Sequence, residues 1–266
     1  MPAVNEVFIQ NLIKLAIAGL EPLYDTKTQL FSKKYENKAL VEEDFQPSII
    51  YTATTILGLL RAKNGNWTTS KIDENASLTS LVNRRDEIAS PGVFGLLLWA
   101  DAHCGGNHRE EIYSDIKHKI DGHRIKLLPT YELSWLLTGL CYSHNYGNTD
   151  KKYAELVQQL YHAITENMNP DAGLFGYMKG GTWPKTLRNR IGNFADQIYS
   201  VYALTTFYET YQQSKALKFA LKCANRLCEL QGDMGQWWWH YQSKHNLIAS
   251  KYPVYAVHQD GMAPMT

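Results

Sequence analysis

The sequence lacks an excess of charge of either sign, since its 27 lysine and arginine residues nearly balance its 26 aspartate and glutamate residues. A net charge of +1 gives no broad field that would attract nucleic acid or an anionic membrane, so we expect neither as a partner. It also lacks a long hydrophobic run. The N-terminal stretch IQNLIKLAIAGL is short, contains Lys14 and has a helical period. It resembles neither a cleavable signal nor a membrane span, and we expect a cytoplasmic protein.

Cysteine is scarce as well. The four cysteines are Cys104, Cys141, Cys223 and Cys228, and they form no CxxC pair and have no nearby histidine at zinc-finger spacing. We therefore expect reduced, mostly structural thiols, no bound metal and no cofactor.

Apolar residues, by contrast, make up 44% of the chain, which is ample for one large core. No break in composition divides the sequence, so we predict a single domain over residues 1–266. Within it, helices with one polar side alternate with helices that are apolar on nearly all sides. The polar-sided segments are 5–19, 74–89, 109–121, 150–168 and 215–231, and the apolar segments are 48–62, 91–103, 130–144 and 196–211.

This alternation favours an all-α fold, an α/α toroid of helical hairpins, because each outer helix then keeps one wet face and each inner helix has none. About five hairpins are expected, the last one incomplete at Thr266, so that the ring is open or truncated. The alternative is an irregular all-α bundle or an open solenoid. Strands are expected only in short pieces such as GLFGY and WWWHY, as small hairpins on the rim.

Three carboxylates lie at the starts of predicted inner helices: Glu132 in TYELSWLL, Asp196 in NFADQIYSVYAL and Asp260 in YAVHQDGMAPM. Inner-helix first turns converge at one end of a toroid, so these groups could supply the acid and base that cleavage of a glycosidic bond needs, with Asp196 and Asp260 as the first choice. The alternative is structural, because an aspartate beside a helix N-terminus commonly caps free backbone N–H groups.

Aromatic residues are dense between 231 and 260, and flat rings stack on sugar faces. If the WWW run is extended, neighbouring rings point in opposite directions, so at most two can face a ligand. Packing among themselves is the alternative, and the histidines and arginine could equally be structural or solvated. The candidate substrate-binding residues are Tyr177, Trp183, Arg190, Trp237, Trp238, Trp239, His240, Tyr241, His258 and Gln259.

Gln231, Gly235 and Trp237 have the spacing of the QW repeat found in squalene-cyclase and prenyltransferase-like toroids. Together with the segments GLF, GQWWW, FADQIY and YPVYAVHQDGMAPM, the alternation resembles the six-hairpin α/α toroid superfamily. That superfamily includes glycosidases, unsaturated-uronyl hydrolases, sugar epimerases and terpenoid cyclases. The likeness is greatest to toroid proteins associated with bacterial polysaccharide pathways.

The resemblance implies a carbohydrate-active protein that hydrolyses or otherwise modifies an oligosaccharide or polysaccharide by carboxylate acid/base chemistry. An isoprenoid-handling toroid is the first alternative, although the DxDD and DDxxD motifs of terpenoid cyclases are missing. A non-catalytic sugar-binding or partner protein is the second. An open ring also predicts a protein partner or an oligomer that covers its exposed inner face.

Overall fold

Two kinds of helix alternate along the chain in the computed structural model, which describes residues 6–32, 35–36, 39–40, 45–67, 70–120, 122–145, 153–179, 189–254 and 261. The outer helices are α1 (Glu6–Leu20), α3 (Glu74–Asn83), α5 (Arg109–Lys119), α8 (Ala154–Asn167) and α10 (Ser214–Glu229). The inner helices are α2 (Phe45–Asn64), α4 (Pro91–His103), α7 (Thr130–Asn145) and α9 (Phe194–Tyr211). A short helix, α6 (Gly122–Ile125), joins α5 to α7.

The inner helices pack in chain order, α2 on α4, α4 on α7 and α7 on α9, while the outer helices α3, α5, α8 and α10 pack behind them. Every residue of α4 between Gly92 and Ala102 is buried, whereas α10 buries four residues along one side. The prediction of an α/α toroid with one polar-sided and one enclosed helix per hairpin is confirmed.

Helices α4 and α7 cross with their backbones in contact. A Cβ atom added to Gly139 would lie 2.1 Å from the carbonyl oxygen of Gly95, and one added to Gly95 would lie 2.3 Å from the carbonyl oxygen of Trp135. Glycine at these two positions removes the side chains that would hold the helices apart. The crossing therefore depends on two residues that the apolar pattern did not single out.

Short strands lie in the loops around the ring. They form the antiparallel pairs β1 (Tyr24–Asp25) with β2 (Leu30–Phe31), β3 (Tyr35–Glu36) with β4 (Ala39–Leu40), and β5 (Met168–Asn169) with β6 (Leu174–Phe175). A three-stranded sheet has the order β7 (Ile191–Asn193), β8 (Trp238–Gln242) and β9 (Leu247–Pro253). The strands expected in GLFGY and WWWHY are β6 and β8.

The buried side-chain amide of Gln197 connects strand β6 to the inner helix α9. Its Oε1 accepts from the backbone N–H of Phe175 at 2.9 Å, and its Nε2 donates to the carbonyl of the same residue at 2.8 Å. Both polar ends of a fully buried side chain are thus satisfied, as burial requires. The pair fixes β6 against the first turns of α9.

Candidate active site at the N-terminal end of the inner helices

Asp196 lies in the first turn of α9 and is fully buried. It forms a capping box with Asn193: its Oδ2 accepts from the Asn193 N–H at 2.8 Å, and its own N–H donates to Asn193 Oδ1 at 2.8 Å. Its Oδ1 accepts from the backbone N–H of Tyr131 at 3.1 Å. One carboxylate therefore satisfies donors at the starts of two neighbouring inner helices, α9 and α7.

Glu132 makes the equivalent link from α7 to α4. Its Oε2 accepts from the Ser90 hydroxyl at 2.7 Å and from the Gly92 N–H at 2.9 Å. A side chain on residue 92 would clash, because its Cβ would lie 2.6 Å from Glu132 Cβ. Capping, which the sequence left open as an alternative for Asp196, is thus observed there, and Glu132 caps the neighbouring helix in the same way.

The two carboxylates differ in what their oxygens can still do. Both oxygens of Asp196 accept from backbone donors, and the side chain has no exposed surface. Glu132 is 7% exposed, and its Oε1 lies 3.5 Å from the hydroxyl of Tyr131, the long limit of a hydrogen bond. Of the two, Glu132 is the one with an oxygen that a substrate could still engage.

Aromatic side chains border this end of the ring. The rings of Tyr131 and Trp135 meet edge-to-face at 5.0 Å, and those of Trp135 and Tyr199 at 5.3 Å. Burial raises the pKa of the Tyr131 phenol, and the nearby charges of Glu132 and Asp196 raise it further. The phenol therefore stays protonated at neutral pH and can donate a hydrogen bond.

The opposite end of the ring interior is filled by a stack that we call the aromatic plug: Arg61, Trp99, Tyr142 and Tyr202. The Trp99 ring stacks with Tyr142 at 5.1 Å and with Tyr202 at 5.2 Å, and the Arg61 guanidinium lies 5.4 Å from its centroid. Arg61 donates to the Tyr202 hydroxyl at 2.6 Å, and that hydroxyl lies 2.7 Å from the hydroxyl of Tyr142. Trp99 is buried, so the stack is part of the packed interior of the ring.

The tryptophan run lies in and beside β8. Trp238 is buried and its indole N–H donates to the Leu230 carbonyl at 2.9 Å, while Trp237 and Trp239 are half-buried. Tyr241 is fully buried, and its hydroxyl accepts from the Trp238 N–H at 3.1 Å. Trp238 and Tyr241 are thus engaged in packing, which leaves Trp237 and Trp239 as the partly accessible rings.

The remaining predicted residues are spread along the rim. Tyr177 is half-buried, and its carbonyl accepts from the N–H of Thr130 at the start of α7. His240 is half-buried on β8, opposite Asn193 on β7, and Arg190 is exposed just before β7. Trp183, His258, Gln259 and Asp260 lie outside the described residues, so their roles stay predictions.

Tyr131, Trp135 and Tyr199 were not singled out from the sequence. All three lie on helices whose apolar character is explained by burial alone, which hid them among core residues. The available signal was spacing: Tyr131 and Trp135 are four residues apart, and they therefore share one face of α7.

No group of three histidine, cysteine, aspartate or glutamate side chains within the described ranges is arranged to hold a metal ion. All four cysteines are free thiols. None of the helices described is both long and apolar enough to cross a membrane.

The fold is similar to that of an unsaturated glucuronyl hydrolase from Streptococcus agalactiae, with a TM-score of 0.55 and 14% sequence identity over 88% of this chain. The chain spans 64% of the length of that structure. No protein-family model and no curated protein sequence matches this chain. At such low identity the likeness establishes the α/α toroid fold alone.

Proposed function

We propose that this protein is a carbohydrate-active toroid that hydrolyses or otherwise modifies an oligosaccharide at the N-terminal end of its inner helices. The observation that carries the proposal is Glu132, a buried carboxylate with one oxygen fixed by two donors and the other beside a phenol. A solved structure with the same fold is a glucuronyl hydrolase, which supports a carbohydrate as the substrate class.

Glu132 is the proposed general acid or base. The Ser90 hydroxyl and the Gly92 N–H hold Glu132 Oε2 in place, so the other oxygen, Oε1, can gain or lose a proton without movement of the side chain. Proton transfer to a substrate requires a carboxyl group that is fixed in this way. The Tyr131 hydroxyl lies beside that oxygen and can donate to it or to a bound sugar hydroxyl.

Asp196 is the proposed positioning carboxylate rather than the proton donor, because both of its oxygens accept from backbone N–H groups. Its bond to the Tyr131 N–H fixes the first turn of α7, which carries Glu132. Asp260 stays the predicted second acid/base group, as its position at the next inner-helix start suggests.

Sugar faces would stack on half-buried rings that border the same end, with Tyr131 and Tyr199 supplied by the inner helices and Trp237 and Trp239 by the β8 segment. Trp183, His258 and Gln259 are predicted to complete the site. An isoprenoid-handling site should be dry and poor in carboxylates, so the two buried carboxylates argue against that alternative.

Turnover of an oligosaccharide panel, including unsaturated and saturated uronides, tests the proposal. E132Q should lower kcat by about 100-fold or more, the loss typical of a general acid or base. E74Q is the matched control, because Glu74 is also a buried glutamate but lies on the outer helix α3, where it pairs with Lys63 at 3.4 Å. E74Q should leave turnover unchanged.

The D196N variant distinguishes a positioning role of Asp196 from a direct role in proton transfer. It should lower the melting temperature and reduce turnover less than E132Q does, once activity is expressed per folded molecule. Equal turnover by E132Q and wild type would contradict the assignment of Glu132. Tight sugar binding without any turnover would instead favour a non-catalytic sugar-binding protein.

A further inference from the structure

Helix α1, the first outer helix, packs on the rest of the protein through one side. Ile17 is buried in a small cluster with Phe31, Leu59 and Ile72, and Ile13 packs against the same cluster. An outer helix with one apolar side facing the protein is normally polar on the other. The opposite side of α1, however, is apolar as well.

This opposite side exposes a row of residues that we call the α1 seam: Phe8, Leu12, Leu15 and Gly19. Phe8 is 58% exposed, Leu12 46% and Leu15 71%. The intervals of four, three and four residues keep the row on one line along the helix, and they are the intervals found where two helices pack lengthwise. An added Cβ at Gly19 would meet nothing within 4 Å, so there is open space above this end of the seam.

The α1 seam carries no charge. The charged residues of α1 are Glu6 and Lys14, which lie two positions before Phe8 and two after Leu12 and so point to other sides of the helix. A neutral seam has no charge pattern that would select a foreign protein partner. A membrane surface is also disfavoured, because helices that lie on membranes are rich in lysine and arginine along a solvated side, whereas the other side of α1 is buried in protein.

The α1 seam is complementary in size to a second, antiparallel copy of itself. If a two-fold axis crosses midway between Leu12 and Leu15, Leu12 of one copy lies opposite Leu15 of the other, and Phe8 lies opposite Gly19. Each large ring then meets the position that has no side chain, which allows the two helices to approach closely. Parallel pairing would instead place Phe8 on Phe8 and leave a gap between the two glycines.

The exposed apolar area determines how strong such a contact can be. Large side chains bury roughly 150–250 Å² each when they are fully covered, so three that are about half exposed offer roughly 300 Å² per copy. A stable interface buries about 800 Å² per partner. The contact is therefore expected to be weak and reversible, with a dissociation constant of about 10–100 µM.

We propose that the α1 seam is a homodimer interface, in which α1 of one copy packs antiparallel on α1 of a second copy of this chain. The α1 seam lies on an outer helix, whereas the candidate active site lies at the starts of inner helices. The dimer therefore does not depend on the proposed activity.

Sedimentation velocity of the whole chain, from about 2 µM to about 500 µM, tests the proposal. The mass should rise from 30.4 kDa toward twice that value. L15E should weaken dimerisation about 30-fold or more, because two carboxylates would be buried in each dimer. L221E is the matched control, since Leu221 is also an exposed leucine on an outer helix, α10, and this variant should dimerise as wild type does.

The antiparallel pairing is tested with G19L. The leucine finds open space in the monomer but would collide with Phe8 of the other copy, so dimerisation should weaken about 10-fold or more. L15A, which only shortens the side chain, serves if L15E does not fold and should weaken dimerisation about fivefold or more.

Four results would overturn the proposal. A mass of 30.4 kDa at every concentration would show that the chain does not self-associate. Wild-type dimerisation by L15E or L15A would place the interface elsewhere. Equal or tighter dimerisation by G19L would exclude the antiparallel pairing. Co-sedimentation with phosphatidylcholine vesicles that L15E abolishes would show that the α1 seam binds lipid. Turnover by E132Q and wild type is measured separately, so failure here leaves the proposed function untouched.

Discussion

At the N-terminal ends of α7 and α9 the ring carries the carboxylates Glu132 and Asp196, whereas toward the C-terminal ends it carries Arg61 and a stack of phenols and indole. Helix N-termini present unpaired N–H groups and the positive end of the dipole, and C-termini present unpaired carbonyls and the negative end. Anions therefore collect at one end and a cation at the other, as the helix termini favour.

The difference matters for function. The carboxylate end has two buried carboxyl groups, a phenol held protonated by its raised pKa and partly accessible rings, while the other end is packed around the buried Trp99. A parallel set of inner helices thus places the candidate site at one end and a packed aromatic stack at the other. Each variant proposed below perturbs one end of the ring or the contact between α4 and α7, two helices that contribute residues to both ends.

The largest effect is expected from G139A, which acts on both ends together. The new Cβ would lie 2.1 Å from the Gly95 carbonyl oxygen, so α4 and α7 would have to separate. We expect a loss of unfolding free energy of about 4 kcal/mol or more, beyond ordinary overpacking. Chemical denaturation measures it.

G58A is the matched control, since Gly58 also lies within an inner helix but an added Cβ would meet nothing within 4 Å. Alanine there should raise stability by up to about 1 kcal/mol through helix propensity. If G139A proved as stable as wild type, the close crossing of α4 and α7 would be wrong.

Sequence periodicity predicted the ring but could not predict this crossing. The apolar segment 91–103 coincides with α4, because Pro91 and the run of apolar residues mark its limits. Gly95 and Gly139 are invisible to such patterns, since glycine adds neither polarity nor period. Only the packed backbones show that no side chain fits there.

The candidate site was predictable in part. The position of Glu132 and Asp196 in first turns followed from the helix starts, but their bonds to the neighbouring inner helix did not, because Asp196 and Tyr131 are 65 residues apart. The aromatic plug was missed for the same reason. Its members come from four helices, and no local spacing joins them.

The D196A variant perturbs the carboxylate end of the ring without changing the aromatic plug at the other end. The variant leaves N–H groups at two helix starts without an acceptor, so a loss of about 2–3 kcal/mol is expected from one cap and one buried unpaired donor. D73A is the control, because Asp73 is exposed and caps a single N–H, that of Ala76 at 3.0 Å. It should cost about 0.5–2 kcal/mol. Thermal unfolding that showed equal losses would contradict the two-helix role of Asp196.

Substitutions in the aromatic plug should lower the free energy of unfolding less than D196A does. Y202F removes the hydroxyl that accepts from Arg61 and pairs with Tyr142, and a loss of about 1 kcal/mol is expected. A double-mutant cycle of Y202F with Y142F isolates the bond between the two hydroxyls, with an expected coupling of about 0.5–1.5 kcal/mol. Strict additivity of the two variants would show that the hydroxyls do not interact.

The smallest effect concerns alkaline pH. Burial raises the pKa of Cys104, at the C-terminal end of α4, from 9.0 to about 11, and that of Tyr211, at the end of α9, from 10.0 to about 12. Both groups are neutral when protonated, so the folded state holds protons that the unfolded state has already lost. The contribution of these two groups to stability should therefore be constant below pH 9, fall as the pH rises from 9 to 11, and continue to fall toward 12.

C104S removes the earlier of these two titrations and should make the decline between pH 9 and 11 less steep, although the raised pKa values of the buried Cys141 and Cys223 still contribute to it. C228S, on an exposed thiol, should follow wild type. The free energy of unfolding measured at several pH values decides between them. Burial raises the pKa of Tyr131 at the carboxylate end as well, so Y131F should also reduce the decline. If Y131F flattened the curve between pH 9 and 11 more than C104S did, Tyr131 rather than Cys104 would make the larger contribution to the alkaline decline.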